Sequence, residues 1–298
     1  MPSNTQEVNL NNNIQSEGEH MMSTTIEHNQ PAATRENTVF LTVAAYDNHE
    51  PITAVFRKSA EDHGIPIVLC DVGEPWQGFY HHKIAVMGER LKRLREEAGK
   101  QFAFILDCRD VVFIEPLESV LAKFNALNDG RTIFNKDVPG RLFPQNLHYL
   151  AQAMEESMKS NHARLNAGMI AGSIEAILNT QQRVTELRQE LIEGCPRPGI
   201  MERLYQDLGT KRVHDDQHLY QIGMVYYPDL FHLDYKKELF ALLTTFPKDV
   251  HNHSNNPRRH DVINHAAIVH APILPRRGWR ACCEQQWSDW ALQHRWQQ

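Results

Sequence analysis

No run in this chain approaches the ~18 apolar residues that a membrane-spanning helix requires, and its start carries no charged-then-apolar leader pattern. There is no zinc-type Cys-x-x-Cys pair: the five cysteines (Cys70, Cys108, Cys195, Cys282 and Cys283) are scattered and odd in number. These absences predict reduced thiols, a cytoplasmic location and no membrane span. An excess of positive charge is missing too. Lys and Arg total 31 against 37 Asp and Glu, a formal charge of −6, which argues against non-specific nucleic-acid binding and leaves only a local basic groove open. Aliphatic periodicity is absent from residues 1–36, where Asn, Gln, Glu, Ser and Thr dominate, and that stretch reads as a disordered tail.

The remainder reads as one α/β domain, residues 37–275, followed by a tryptophan-rich segment, 276–298, expected to dock a helix onto it through Trp287, Trp290 and Leu292. Thr38 to Ala45 and Pro66 to Cys70 are apolar strand candidates flanking a helical pattern that ends at Gly64. Such a β-α-β unit predicts a parallel sheet with a right-handed crossover. The polar stretch 46–51 is the loop at the end of the first strand. Lys83 begins another helical pattern (Ile84, Met87, Leu91, Leu94) after a Gly/Pro/aromatic loop containing Trp76 and Gly78. Ser173 is placed to cap a long amphipathic helix ending near Glu193.

The most informative stretch is Phe102 to Asp110. A five-residue apolar run, the right length for a buried strand, ends abruptly in Asp107 and Asp110. Ligand crevices in open α/β sheets lie outside the carboxyl ends of strands, and carboxylates there can hold a hard cation. Residues three apart on an extended strand face opposite ways, so both acids can reach one ion only if the chain turns after Leu106. A strand end with solvated acids is the simpler alternative. Asp215 and Asp216 fit the first turn of a helix running to about Tyr227, where acids complement the macrodipole; a substrate-handling role is the alternative. The small residues around Asn166 and Gly168 fit either a close backbone or ligand approach, or a tight turn into a strand. The histidines of 251–264 fit a solvated loop, and Ala266 to His270 a last short strand.

Taken in order, several short matches resemble the glycosyltransferase domain of the procollagen lysyl hydroxylase family, which has a GT-A (Rossmann-like) fold. Thr42-Val43-Ala44 resembles its first strand, Trp76-Gln77-Gly78 and the following Lys83 its W-x-G loop and lysine, and Asp107-Cys108-Arg109-Asp110-Val111 its D-x-x-D-V motif. Leu165-Asn166-Ala167-Gly168 is similar to L-N-S-G, Asp215-Asp216-Gln217 to D-D-Q, Leu233-Asp234 to L-D, and Val269-His270 to V-H. The matches span about residues 38–275.

The resemblance implies an Mn²⁺-dependent transferase, with Mg²⁺ the alternative ion, that uses a UDP-sugar donor and a hydroxyl acceptor. It implies Asp107, Asp110 and His270 as metal ligands, and Val43, Ala44, Trp76, Lys83 and Arg109 around the nucleotide. Asn166, Asp215 and Asp216 would face sugar and acceptor. Carboxylate oxygens with one imidazole suit Mn²⁺. The chain departs from the family at Cys108-Arg109, where an aromatic is usual, at Ala167, and at Ala271-Pro272-Ile273 after the last histidine. Sugar specificity is therefore not carried over. The acceptor is open among a protein hydroxyl, a small glycoside and a modified nucleobase. Two further readings stand beside this one: a degenerate member that binds nucleotide or a partner without turnover, and an aspartyl-nucleophile phosphohydrolase. The latter usually spaces its acids two apart, not three.

Overall fold

The computed structural model describes residues 31–45, 49–137, 148–161, 163–209, 214–242 and 265–270. In chain order the elements are β1 (Thr38–Val43), α1 (His49–Asp62), β2 (Ile67–Cys70), a π-helical turn (Tyr80–Val86) running into α2 (Met87–Ala98), β3 (Phe102–Leu106) and β4 (Val111–Phe113). There follow α3 (Leu117–Leu127), β5 (Thr132–Lys136), α4 (His148–Ser157), β6 (Leu165–Ser173), α5 (Ile174–Ile192) and α6 (Ile200–Leu208). Last come α7 (Asp216–Tyr226), β7 (Phe231–Leu233), β8 (Phe240–Leu242) and β9 (Ile268–His270).

Six strands form a sheet in the order β2-β1-β3-β6-β5-β7, and β4-β9-β8 form a second, smaller one. In the main sheet β1 pairs parallel with β2 and β3, and β5 with β7, while β6 runs antiparallel to both its neighbours. The fold is thus α/β with a mainly parallel central sheet, as expected. The reversal at β6 matters for the site. It brings the start of β6, Leu165 and Asn166, to the same edge as the carboxyl ends of β1, β3, β5 and β7.

Strand alternation sorts the core into two layers. On β3, Phe102, Phe104 and Leu106 face one cluster with Phe56 of α1, Val120 and Phe124 of α3, and Phe113, Phe240 and Ile268 of the small sheet. Ala103 and Ile105 face the other, with Leu91, Leu150, Ile177, Val184, Met201, Leu219 and Ile222 from the helices α2 and α4–α7. A fully buried phenylalanine contributes roughly 1.5–3 kcal/mol, so Phe40, stacked on Phe104 at 4.5 Å, and Phe124 beside it anchor the first layer.

Local signals decide the element ends. Ser173 accepts the Ala176 N–H at 3.1 Å and caps α5 as expected. Gly64 sits at φ 66 after α1, and Gly99 at φ 62 closes α2. Asp234, fully buried after β7, accepts the N–H groups of Glu238 (3.2 Å), Leu239 (2.8 Å) and Phe240 (2.8 Å), which fixes the turn into β8. Within the expected tail, residues 31–36 are described and Ala33 is buried, its N–H and carbonyl bonded to the Asn125 amide. Residues 1–30, the loop 46–48, the histidine-rich stretch 251–264 and the segment 276–298 lie outside the described residues.

Replacing Asp234 with Ala leaves three N–H groups without their acceptor in a buried turn. The expected cost is on the order of 3 kcal/mol, read from urea unfolding. A loss below about 0.5 kcal/mol, the scale of an ordinary surface change, would refute the clamp.

Candidate metal and transfer site

Asp107 and Asp110 bracket a turn between β3 and β4, and the Asp107 N–H donates to the Gly168 carbonyl at 2.9 Å. The turn required by their spacing is therefore present. His270 reaches them because β9 pairs antiparallel with β4, with Val111 opposite His270. The three side chains offer ligand atoms that all lie within 4.8 Å of one another.

The imidazole is held in one tautomer. Asn166 Oδ1 accepts the Gly168 N–H at 2.9 Å, which identifies it as the oxygen, and it also lies 3.1 Å from His270 Nδ1. Nδ1 is consequently the donor. In the neutral ring Nε2 then carries a lone pair. That atom is buried without a hydrogen-bond partner and sits 3.2 Å from Asp110 Oδ1. Two electron-rich atoms facing each other in a buried place call for a proton or a cation between them. An imidazole whose other nitrogen donates to a fixed amide is the usual support of a metal-ligating histidine. The donor set thus fits a divalent ion. Gly168 is needed for this packing: a Cβ there would come within 2.2 Å of His270 Cε1.

Beside this triad lies a buried ion cluster. Lys83 Nζ contacts Asp107 Oδ1 at 2.9 Å and Asp216 Oδ2 at 2.8 Å, and donates to the Ala167 carbonyl at 2.9 Å. Its side chain is 5% exposed. Burial alone would discharge it, but the charges of Asp107 and Asp216 hold its ammonium well above the ordinary lysine range. Burial pushes the Asp216 carboxyl up, with Lys83 opposing and Asp107 adding to the shift. One ammonium does not balance two carboxylates, Asp216 buried and Asp107 partly exposed. With Asp110 included, these four groups carry a formal charge of −2, the amount that one divalent ion supplies.

The sequence placed Lys83 at a helix start. It lies within the π-helical turn preceding α2, pointing inward rather than at the mouth of a helix. Asp215 caps α7, its Oδ1 accepting the His218 N–H at 3.2 Å, while Oδ2 lies 3.1 Å from His218 Nδ1. Asp216 is the one that enters the buried cluster. Val43 and Ala44 are buried at the end of β1, where the Val43 carbonyl accepts from Cys108 Sγ at 3.1 Å. Burial and the neighbouring Asp107 push that thiol up to about 12, so Cys108 is a neutral, buried member of the turn. Arg109 is half-exposed in the same turn.

Trp76 is exposed and stacks on His82 at 4.9 Å, with Phe79 edge-on at 4.9 Å. The Phe79 ring centroid lies 5.9 Å from Lys83 Nζ, so the aromatic pair adjoins the ion cluster. Sequence reasoning did not find what holds Trp76 there. His82 Nε2 accepts the Gln77 N–H at 3.0 Å and Nδ1 donates to Asp71 Oδ2 at 2.7 Å. Eleven residues separate that pair, and neither partner carries a motif. Gln217, which accepts from Asn166 Nδ2 at 3.2 Å, was also missed as a site residue, although it lies in the quoted D-D-Q.

No family model matches the chain, and no curated protein matches it. It is similar to the crystal structure of a glycosyltransferase involved in the glycosylation of the major capsid of PBCV-1. Identity is 10% and the TM-score 0.45, over 84% of this chain and 98% of that one. A likeness of that degree carries no inference about activity.

Replacing Lys83 with Met removes the ammonium that joins buried Asp216 to the partly exposed Asp107. The expected loss is at least about 3 kcal/mol near pH 7.5. Without the cation, the Asp216 carboxyl, already pushed up by burial, loses the group that opposes that shift and is raised further above its unfolded value. That stability is fully present below the unfolded pKa and is lost as pH rises through the folded one. The deficit against the parent should therefore shrink at pH 5; a deficit equal at both pH values would contradict the arrangement.

Proposed function

We propose that the protein is a metal-dependent glycosyltransferase of the GT-A type, moving a hexose from a UDP-sugar to a hydroxyl acceptor. The observation that carries this reading is the buried, unpartnered Nε2 of His270 facing Asp110, with Asp107 alongside, at the carboxyl edge of a mainly parallel sheet. Asp107, Asp110 and His270 would hold Mn²⁺, with Mg²⁺ the alternative. The ion, when bound, supplies Lewis-acid neutralisation of the departing diphosphate.

The other residues take roles suited to their placement. The exposed Trp76–Phe79 pair offers a stacking face for the uracil, and Val43, Ala44 and Arg109 border the nucleotide side. Lys83 pairs with Asp107 and Asp216 and holds them in place. Asp216, joined to Asp107 through Lys83 at the start of α7, would face the acceptor side and handle its hydroxyl. Asn166 orients His270 and, through Gln217, ties the metal side to the start of α7. Asp215 supports Asp216 by capping that helix.

Nucleotide release from a panel of sugar nucleotides, with Mn²⁺ and with chelator, tests the class. Metal-dependent release of UDP from one donor is expected. No release, together with no UDP binding in Mn²⁺, would contradict the reading and favour a protein that binds a partner without turnover. The residue assignments separate by variant. Asp110→Ala should abolish Mn²⁺-dependent UDP binding while the protein stays folded by circular dichroism; unchanged UDP affinity with and without Mn²⁺ would refute the metal assignment. Asp216→Ala should lose turnover far more than UDP affinity, and turnover equal to the parent would remove it from the site.

A further inference from the structure

Asp71 and His82 are two inward-facing side chains to which the transfer reading gives no role. Asp71 follows β2 with φ 57, a left-handed turn position uncommon for a residue with a side chain. Its carbonyl accepts the Glu74 N–H at 3.1 Å, at the start of the loop that leads to Trp76. Its side chain is 9% exposed, with Oδ2 at 2.7 Å from His82 Nδ1 and Oδ1 at 4.0 Å from Arg90.

His82 lies in the π-helical turn before α2, a rare form that is frequent at functional sites. His82 and Lys83 are consecutive there and both buried. One turn therefore reaches the ion cluster with Lys83 and the aromatic loop with His82. The imidazole is engaged at three points. Nδ1 donates to Asp71, Nε2 accepts the Gln77 N–H at 3.0 Å, and the ring face lies against Trp76, with centroids 4.9 Å and planes 22° apart. A neutral ring is needed for this, because both nitrogens of a protonated imidazole are donors and Nε2–H would oppose the Gln77 N–H. Around the ring, besides Asp71, stand His81, edge-on at 4.8 Å, the adjacent Lys83, and Arg90 behind Asp71. Trp76 remains 40% exposed, open to a ligand while its indole rests on a fixed ring.

We propose that Asp71 and His82 are positioning residues for a planar base: they hold Trp76 as a flat stacking face and act on the ligand through Trp76. Naming that ligand as the uracil of the donor rests on the transferase reading; the coupling of His82 to Trp76 does not.

The probe is uridine, used without metal, phosphate or turnover. Failure here is thus distinct from failure of the transferase reading, which UDP release tests. Ligand-observed NMR gives the uridine Kd for the full chain, for Trp76→Ala, for His82→Gln and for the double variant. His82→Gln should weaken uridine about tenfold in the parent and leave the residual binding of Trp76→Ala unchanged, since a group acting through Trp76 then has nothing to position. A role in fold stability alone would lower affinity in both backgrounds alike. Asp71→Asn repeats the cycle without altering the buried ring: asparagine tolerates the left-handed backbone and gives up the charge. Its loss should be about threefold, and again absent in Trp76→Ala. Lowering the pH to about 5.5, where imidazoles gain a second proton, should weaken uridine in the parent but not in His82→Gln. Equal losses in both backgrounds, no loss in either, the same pH dependence in parent and His82→Gln, or no uridine binding by the parent would overturn the proposal.

Discussion

The contacts of Lys83 tie the site together. One ammonium, almost wholly buried, joins the π-helical turn that carries it to the end of β3 through Asp107, the start of α7 through Asp216 and the interior of β6 through the Ala167 carbonyl. Unpaired, a buried charge of this kind is among the most costly groups in a protein. Paired, it fixes three elements from distant parts of the chain at one point. The aromatic loop, through Phe79 at 5.9 Å, and the acid turn, through Asp107 at 2.9 Å, both adjoin it.

The second constraint is antiparallel pairing in a mainly parallel sheet. β6 runs backwards, so its first residues, not its last, stand at the carboxyl edge. Asn166 is there to hold His270, and Gly168 leaves room for the ring. β9 then delivers His270 beside Asp110 by pairing with β4. The result is an imidazole nitrogen and a carboxylate 3.2 Å apart, with room for a proton or a cation between them, next to a cluster whose formal charge is already negative. The proposed divalent cation would satisfy both atoms and offset that charge.

Much of this was legible before any coordinates. The apolar run Phe102–Leu106, cut off by two acids, marked the central strand, and Ser173 marked a helix start that the structure reproduces with its side-chain cap. Asp215 and Asp216 opened a helix as their macrodipole preference suggested. What stayed hidden is non-local. Periodicity cannot say that His270 pairs beside Asp110 across some 160 residues; only the family resemblance brought them together. The resemblance places Lys83 beside the nucleotide, and nothing local in the sequence shows that its two carboxylate partners arrive from β3 and α7. The three-residue β8 is too short to carry a pattern, and the His82–Asp71 pair that props Trp76 has no sequence signature.

A crystal of the protein soaked with Mn²⁺ and UDP, read by anomalous scattering at the manganese edge, tests the central claim most directly. The account predicts one strong peak bonded to His270 Nε2 and to the carboxylates of Asp107 and Asp110, with Asn166 still accepting from Nδ1. A map with no peak there, or with Nε2 of His270 instead donating to Asp110 and the ion elsewhere, would contradict it.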